Sequence, residues 1–226
     1  MREDAAAVLA QAEHDSGQLP GWLRPLVAAV RTAEVQDLTR FGPPPDAEGR
    51  PSAVLMLLGE GPEGPDLLLT RRADAMRAHS GQPAFPGGAQ DPGDADAAAC
   101  ALREAHEEVG VVPASVEVVG QLPELWVPVT GFVVTPVLGW WREPGPVAAQ
   151  EVEVADVARV PIRDLADPAN RVRVRHPSGF VGPGFDVAGM IVWGFTGGLT
   201  DGLLRMGGWE RPWLPSRLVE LDAERT

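Results

Sequence analysis

The chain has 226 residues, 44% of them apolar, and carries 32 acidic against 19 basic side chains for a formal net charge of −13. This apolar content is enough for one sizeable core, and the acidic balance excludes a general binder of nucleic acid or of anionic membranes, both of which need a basic patch. The single cysteine, Cys100, excludes an internal disulfide and a multi-cysteine zinc site, and its helical setting reads as a small packing residue.

No apolar run approaches the roughly 18 residues of a membrane span. The opening MREDAAAVLAQAEHD lacks the basic, apolar and small order of a signal peptide. No membrane partner and a cytoplasmic location are therefore expected. Residues 1–45 read as a helical extension, in which GWLRPLVAAVRTA sets Trp22, Leu23, Leu26, Val27 and Val30 at helical spacing. Packing of this stripe on the main domain is the expectation, and a partner-binding helix the alternative. The turn-rich FGPPPDAEGRP (41–51) reads as a linker.

Two strand-like runs follow, SAVLMLL (52–58) and DLLLTR (66–71), joined by GEGPEGP as a hairpin. Further strands are expected at 115–119, 130–141, 151–160 and 171–176. A strand leading into a closing helix is expected from 185, with the helix at 193–204 despite its glycines. The tail WERPWLPSRLVELDAERT would be partly ordered by Trp209 and Trp213 and end in a frayed acidic stretch. Strands interleaved with helices predict an α/β sandwich with a mixed sheet between helices.

Residues 85–111, FPGGAQDPGDADAAACALREAHEEVGV, carry the densest pattern. Asp94 or Asp96 can cap a helix that runs from Ala97 to Val109 and stops at Gly110. At about 100° per residue, Ala98, Leu102, Ala105 and Val109 share one stripe and Glu104, Glu107 and Glu108 another. Like charges at i, i+3 and i+4 repel by a few tenths of a kcal/mol per pair, so a cation is expected to collect them. Oxygen-only donors favour Mg²⁺ or Mn²⁺. Arg103, four residues before Glu107, can pair with it and fix its rotamer.

REAHEEVGV resembles the second half of the Nudix box, G-x5-E-x7-R-E-U-x-E-E-x-G-U, with U aliphatic. The first half departs from it: the sixth residue after Gly88 is Asp94 rather than Glu, and Arg103 comes one residue late. The family branch that hydrolyses coenzyme A uses this longer, Asp-containing form. Just upstream, LLTRRADAMRAHSGQPAFPGG (68–88) is similar at every specified position to the signature of that branch, L-L-T-x-R-[SA]-x3-R-x3-G-x3-F-P-G-G. LPELWVPVTGFVVTPVLG and MIVWGFTGGLTDGLL resemble further segments of it.

The resemblance implies a Nudix-type α/β/α sandwich, with a Nudix hydrolase domain at 46–205 and a C-terminal tail at 206–226. It implies that Glu104, Glu107 and Glu108 bind the divalent metal with the carbonyl of Gly88, where glycine lets backbone oxygen approach closely. Arg72, Arg77 and His79 would set positive charge beside the metal for the phosphates of a nucleotide substrate of the coenzyme A type, within a substrate site that includes Gln82 and Phe85. His79 could equally be a structural loop residue, and Gln82 would hold the loop or touch substrate. Glu107 is the expected water-activating base. Glu153 matches a loop glutamate used near the attacking water in some relatives, or is a surface acid. The expected reaction is hydrolysis of the coenzyme A pyrophosphate. A broader hydrolase of ADP-ribose, dinucleotides or NTPs is one alternative and a non-catalytic binding module another. Formation of a homodimer is left open.

Overall fold

The computed structural model describes residues 19–38, 49–73, 81–128, 130–150, 154–214 and 217–221. At its centre lies β1 (Arg50–Gly61), whose run of Ala53 to Leu58 is apolar on consecutive positions and therefore needs cover on both faces. The alternation of side chains divides the run. Ala53, Leu55 and Leu57 enter one core cluster, while Met56 and Leu58 enter the other.

β1 forms a hairpin with β2 (Gly64–Arg72), pairing as far as Gly61 opposite Gly64. Most of the expected loop is therefore strand, and Gly64 at φ 95° makes the tight turn possible. On its other side β1 runs parallel to β7 (Phe132–Trp141), which pairs antiparallel with β5 (Val116–Gln121) and with β6 (Leu125–Val127). The outer edge of β2 carries β8 (Val154–Pro161) and the short β3 (Pro83–Ala84), and β4 (Gly87–Ala89) pairs with the first half of β1. These make an eight-stranded mixed sheet.

One face is covered by a helix at Ala97–Val109. The other face packs against α1 (Arg24–Val30), α2 (Val35–Leu38) and a helix at Gly194–Met206. In chain order the 97–109 helix is α3, the short Ile162–Leu165 is α4 and the 194–206 helix is α5. The expected stripe Leu23, Leu26, Val27 and Val30 is buried in this core. A second, four-stranded sheet on the same side was not foreseen. It has the order β11 (Met190–Val192), β10 (Val181–Val187), β9 (Arg171–Arg175) and β12 (Leu218–Glu220), so the chain's last described strand closes it. Among the described residues no helix is long and apolar enough to cross a membrane.

Candidate active site

α3 forms as its sequence dictates. The Asp96 side chain accepts from the Ala99 N–H at 2.8 Å, and Gly110, at φ 74°, ends the helix in the left-handed region with its N–H on the Ala105 and His106 carbonyls. The buried stripe is Cys100, Ala101, Ala105 and Val109, while the expected Ala98 and Leu102 lie half-buried at its flank. Small residues face the sheet because they allow the helix to lie close on Ala53 and Leu55.

That rotation separates the three glutamates. Glu108 turns inward, 6% exposed, and accepts from the Gly87 N–H at 3.2 Å. The Glu104 carboxylate lies over Gly88, where a Cβ would overlap it with Cδ at 2.6 Å. A Cβ on Gly87 would likewise strike the β1 backbone, with Val54 Cα at 2.7 Å. Gly87 is thus required for the turn to fit against the β1 backbone, whereas a side chain at Gly88 would displace the Glu104 carboxylate. Glu107 points outward, its side chain 57% exposed.

Arg103 organises this face. Nε and Nη2 donate to the two Asp94 oxygens at 2.9 Å each, Nη1 reaches Glu104 at 3.0 Å and Glu107 at 3.1 Å, and Nη2 also donates to the Ala89 carbonyl. A planar guanidinium fork matches a carboxylate in this way. The Arg103 hydrogen bond, ahead of one from the Asp91 N–H, holds the Asp94 carboxyl down at about 2. The bond to Asp94, with Glu104 adding to it, raises the Arg103 pKa still further above its ordinary value, against the effect of desolvation. Asp94 therefore anchors the arginine, and Asp96 is the cap. Cys100 Sγ lies 3.7 Å from the Gly88 carbonyl and 3.6 Å from that of Ala89. Burial, then the Asp94 charge, pushes this thiol up to about 11, as befits a packing residue.

Among the described residues no three His, Cys, Asp or Glu side chains form a cation cage. The donors nevertheless fit a hard divalent ion, because Glu104 and Glu108 converge on the Gly87–Gly88 turn and every candidate ligand atom is oxygen. Glu107 would have to swing away from Arg103 to join them.

A cavity of about 820 Å³ is lined by Arg72, Gln82, Pro83 and Ala84, just before the glycine turn in sequence, and by many apolar side chains, among them Trp126, Phe180, Trp193 and Phe195. A register shift between Arg71 and Arg72 where β2 meets β8 separates the two arginines. Arg71 faces Asp156 across 3.8 Å, while Arg72 turns to the cavity. Phe85 is 3% exposed and packs in the core, which makes it an anchor for the turn rather than a wall of the cavity. Arg77, His79 and Glu153 lie outside the described residues. Sequence reasoning missed the cavity because its lining comes from segments spread between Gln36 and Arg205, and the only local signal was the aromatic-glycine run WGF at 193–195.

The NUDIX domain model matches residues 49–178. The chain is 45% identical over 159 residues to the uncharacterized Nudix hydrolase NudL of Enterobacter sp. (strain 638), covering 69% of this chain and 80% of that relative. It is 50% identical over 113 residues to the protein of the same name from Escherichia coli (strain K12), covering 50% and 58% of the two chains. Among solved structures, the Nudix hydrolase RenU from M. smegmatis superposes with a TM-score of 0.51 at 21% identity, over 70% of this chain and 86% of that one, a likeness of fold. With the domain match spanning more than half its length and the helix and glycine turn in place, the chain belongs to the Nudix hydrolase family.

Proposed function

We propose that this Nudix hydrolase cleaves the pyrophosphate bond of coenzyme A or a derivative, giving 3′,5′-ADP and a 4′-phosphopantetheine species. The observation that supports it most is Arg72: its Nε is buried without a hydrogen-bond partner among the described residues, and the residue lines an 820 Å³ cavity together with Gln82, Pro83 and Ala84, the segment that runs into the Gly87–Gly88 turn. A buried guanidinium N–H without a partner is costly, and a phosphate oxygen would satisfy it. A diphosphate alone needs nothing like this volume, whereas a substrate with a long, largely uncharged arm does. The similarity of 68–88 to the coenzyme A signature selects that arm.

In this reading Glu104 and Glu108, with Gly88, hold Mg²⁺ or Mn²⁺. Such an ion supplies polarisation of the phosphoryl oxygens and a bound water of lowered pKa. Arg103 neutralises the carboxylates and keeps them in register through Asp94. Glu107, the most exposed of the three, accepts the proton of the attacking water in preference to Glu153. Arg72 and Gln82 orient the phosphates, joined by Arg77 and His79.

The test is hydrolysis of coenzyme A, 3′-dephospho-coenzyme A and ADP-ribose with products identified. Release of 3′,5′-ADP from coenzyme A that stops on complete chelation is expected, and preferential cleavage of ADP-ribose would replace the proposal by the broader hydrolase. Replacing Arg72 by Ala should lower kcat/KM for coenzyme A by roughly ten- to a hundredfold, the loss of one charge-assisted hydrogen bond or more. A change under about twofold would remove Arg72 from the site.

A further inference from the structure

The cavity that takes in Arg72 is walled partly by segments outside the 49–178 match. Asp201 and Arg205 of α5 line it together with Asp37 of α2. These residues are tied to one another. Arg205 donates through Nη2 to the Asp37 carbonyl at 2.9 Å and through Nε to Asp201 at 3.4 Å, while the other Asp201 oxygen accepts from Arg171 Nη2.

Arg171 is 5% exposed, and its guanidinium carbon lies 4.5 Å from the Phe185 ring centroid and 4.7 Å from that of Trp213. Its Nε has no hydrogen-bond partner among the described residues. Among the described residues, one carboxylate and two aromatic faces hold the group. Trp213 is itself placed by chain tied down before and after it. The Trp209 N–H donates to the Leu204 carbonyl at 2.9 Å, and Arg217 pairs with Asp186 at 2.6 Å while its carbonyl accepts from the Arg173 N–H.

The half-buried Trp213 keeps water from an ion pair that, exposed, would contribute little. We infer that Arg171 and Trp213 are positioning residues for specificity: they fix the Asp201–Arg205 wall and so set how tightly the substrate moiety that lies against it is held, without touching the reacting atoms. This rests on the proposal above that the cavity receives that moiety during diphosphate hydrolysis.

The experiment compares wild type with Trp213→Ala, Trp213→Phe and Arg171→Lys in steady-state assays on coenzyme A and ADP-ribose with Mg²⁺, alongside melting temperatures. Trp213→Ala is expected to raise KM about tenfold with kcat within about twofold, and Trp213→Phe to restore KM because a phenyl face also stacks on guanidinium. Arg171→Lys keeps the charge but not the planar fork and should follow Trp213→Ala. Because Arg171 is buried its variant could unfold, and the Trp213 pair then decides alone. An unchanged KM, or kcat falling in step with kcat/KM, overturns the inference. The two readings fail separately. Cleavage of ADP-ribose but not coenzyme A removes the substrate proposal and leaves the wall to be read from the ADP-ribose KM. Activity on coenzyme A with an unchanged KM in Trp213→Ala removes the wall alone. A wild-type protein that cleaves neither removes both.

Discussion

Two helices of thirteen residues belong to the two core clusters on either side of the central sheet, and they are held in opposite ways. α3 carries its own instructions: a side-chain cap at Asp96, alanines through its body and a left-handed glycine at its end. α5 follows Trp193, which offers no side-chain cap; Gly194 sits at φ 63° in the left-handed region at its start, and Gly197, Gly198 and Gly202 in its body are each about 1 kcal/mol worse than alanine in intrinsic helix propensity. Its stability comes from its neighbours. Thr196 Oγ1 donates to the Pro83 carbonyl at 3.0 Å, and Gly197 sits where a Cβ would meet the Pro183 and Val192 carbonyl oxygens at 3.0 and 3.3 Å. A helix that presents charge can be locally autonomous. One that lines a cavity depends on the shape of what it packs against.

The largest effect expected in breaking this comparison is on α3. Glu108→Gln should lower kcat by at least about a hundredfold, ~2.7 kcal/mol of barrier, with the circular dichroism spectrum unchanged. A kcat within tenfold of wild type would take Glu108 out of the site. On α5, Gly197→Ala should destabilise by about 1–2 kcal/mol in denaturant unfolding, because overpacking against backbone outweighs the gain in helix propensity. Equal or greater stability would show that the close approach is soft.

Asp96→Ala on α3 should cost about 1 kcal/mol through loss of the cap. Gly198→Ala on α5, whose Cβ would meet only the Leu38 carbonyl oxygen at 3.9 Å, should instead stabilise by roughly 0.5–1 kcal/mol. Opposite signs at adjacent glycines would confirm that packing, not propensity, governs α5. The smallest effect lies in acid. The Asp94 carboxyl is held below its ordinary value of 3.8 at about 2, so the stability it contributes is present above pH 4 and is lost as pH falls toward 2. Asp94→Asn should flatten the stability curve within that window and leave its shape at neutral pH alone.

The same contrast explains what could be read from the chain. The limits of α3 were legible because cap, body and stop are neighbours in sequence, and the strand pattern was legible in β1, β2 and β7. β6 escaped because three residues set among prolines do not show a period, and the second sheet because a strand's sequence does not name its partner. Spacing brought Glu104, Glu107 and Glu108 to one side of a helix. It could not tell that the Gly87 N–H draws Glu108 inward while Arg103 holds Glu107 out, since helical positions that close are separated only by what they meet.

The parallel pairing of β1 with β7 has a bearing on the order in which the molecule assembles. Ser52 Oγ donates to the Val133 carbonyl, 81 residues further along the chain, and the whole carboxylate helix and its glycine turn lie within that span. The hairpin of β1 and β2 can close early at little entropic expense, but the sheet's middle waits on a long loop whose closure comes before any contact that rewards it. α3 has its cap and its stop within its own sequence, but a helix of thirteen residues is marginal in isolation, and the Gly87–Gly88 turn has no strand on which to rest until β1 is in place. The acidic side chains therefore spend the early part of folding without their site, and the capacity to bind a cation arrives with the long-range closure of the sheet.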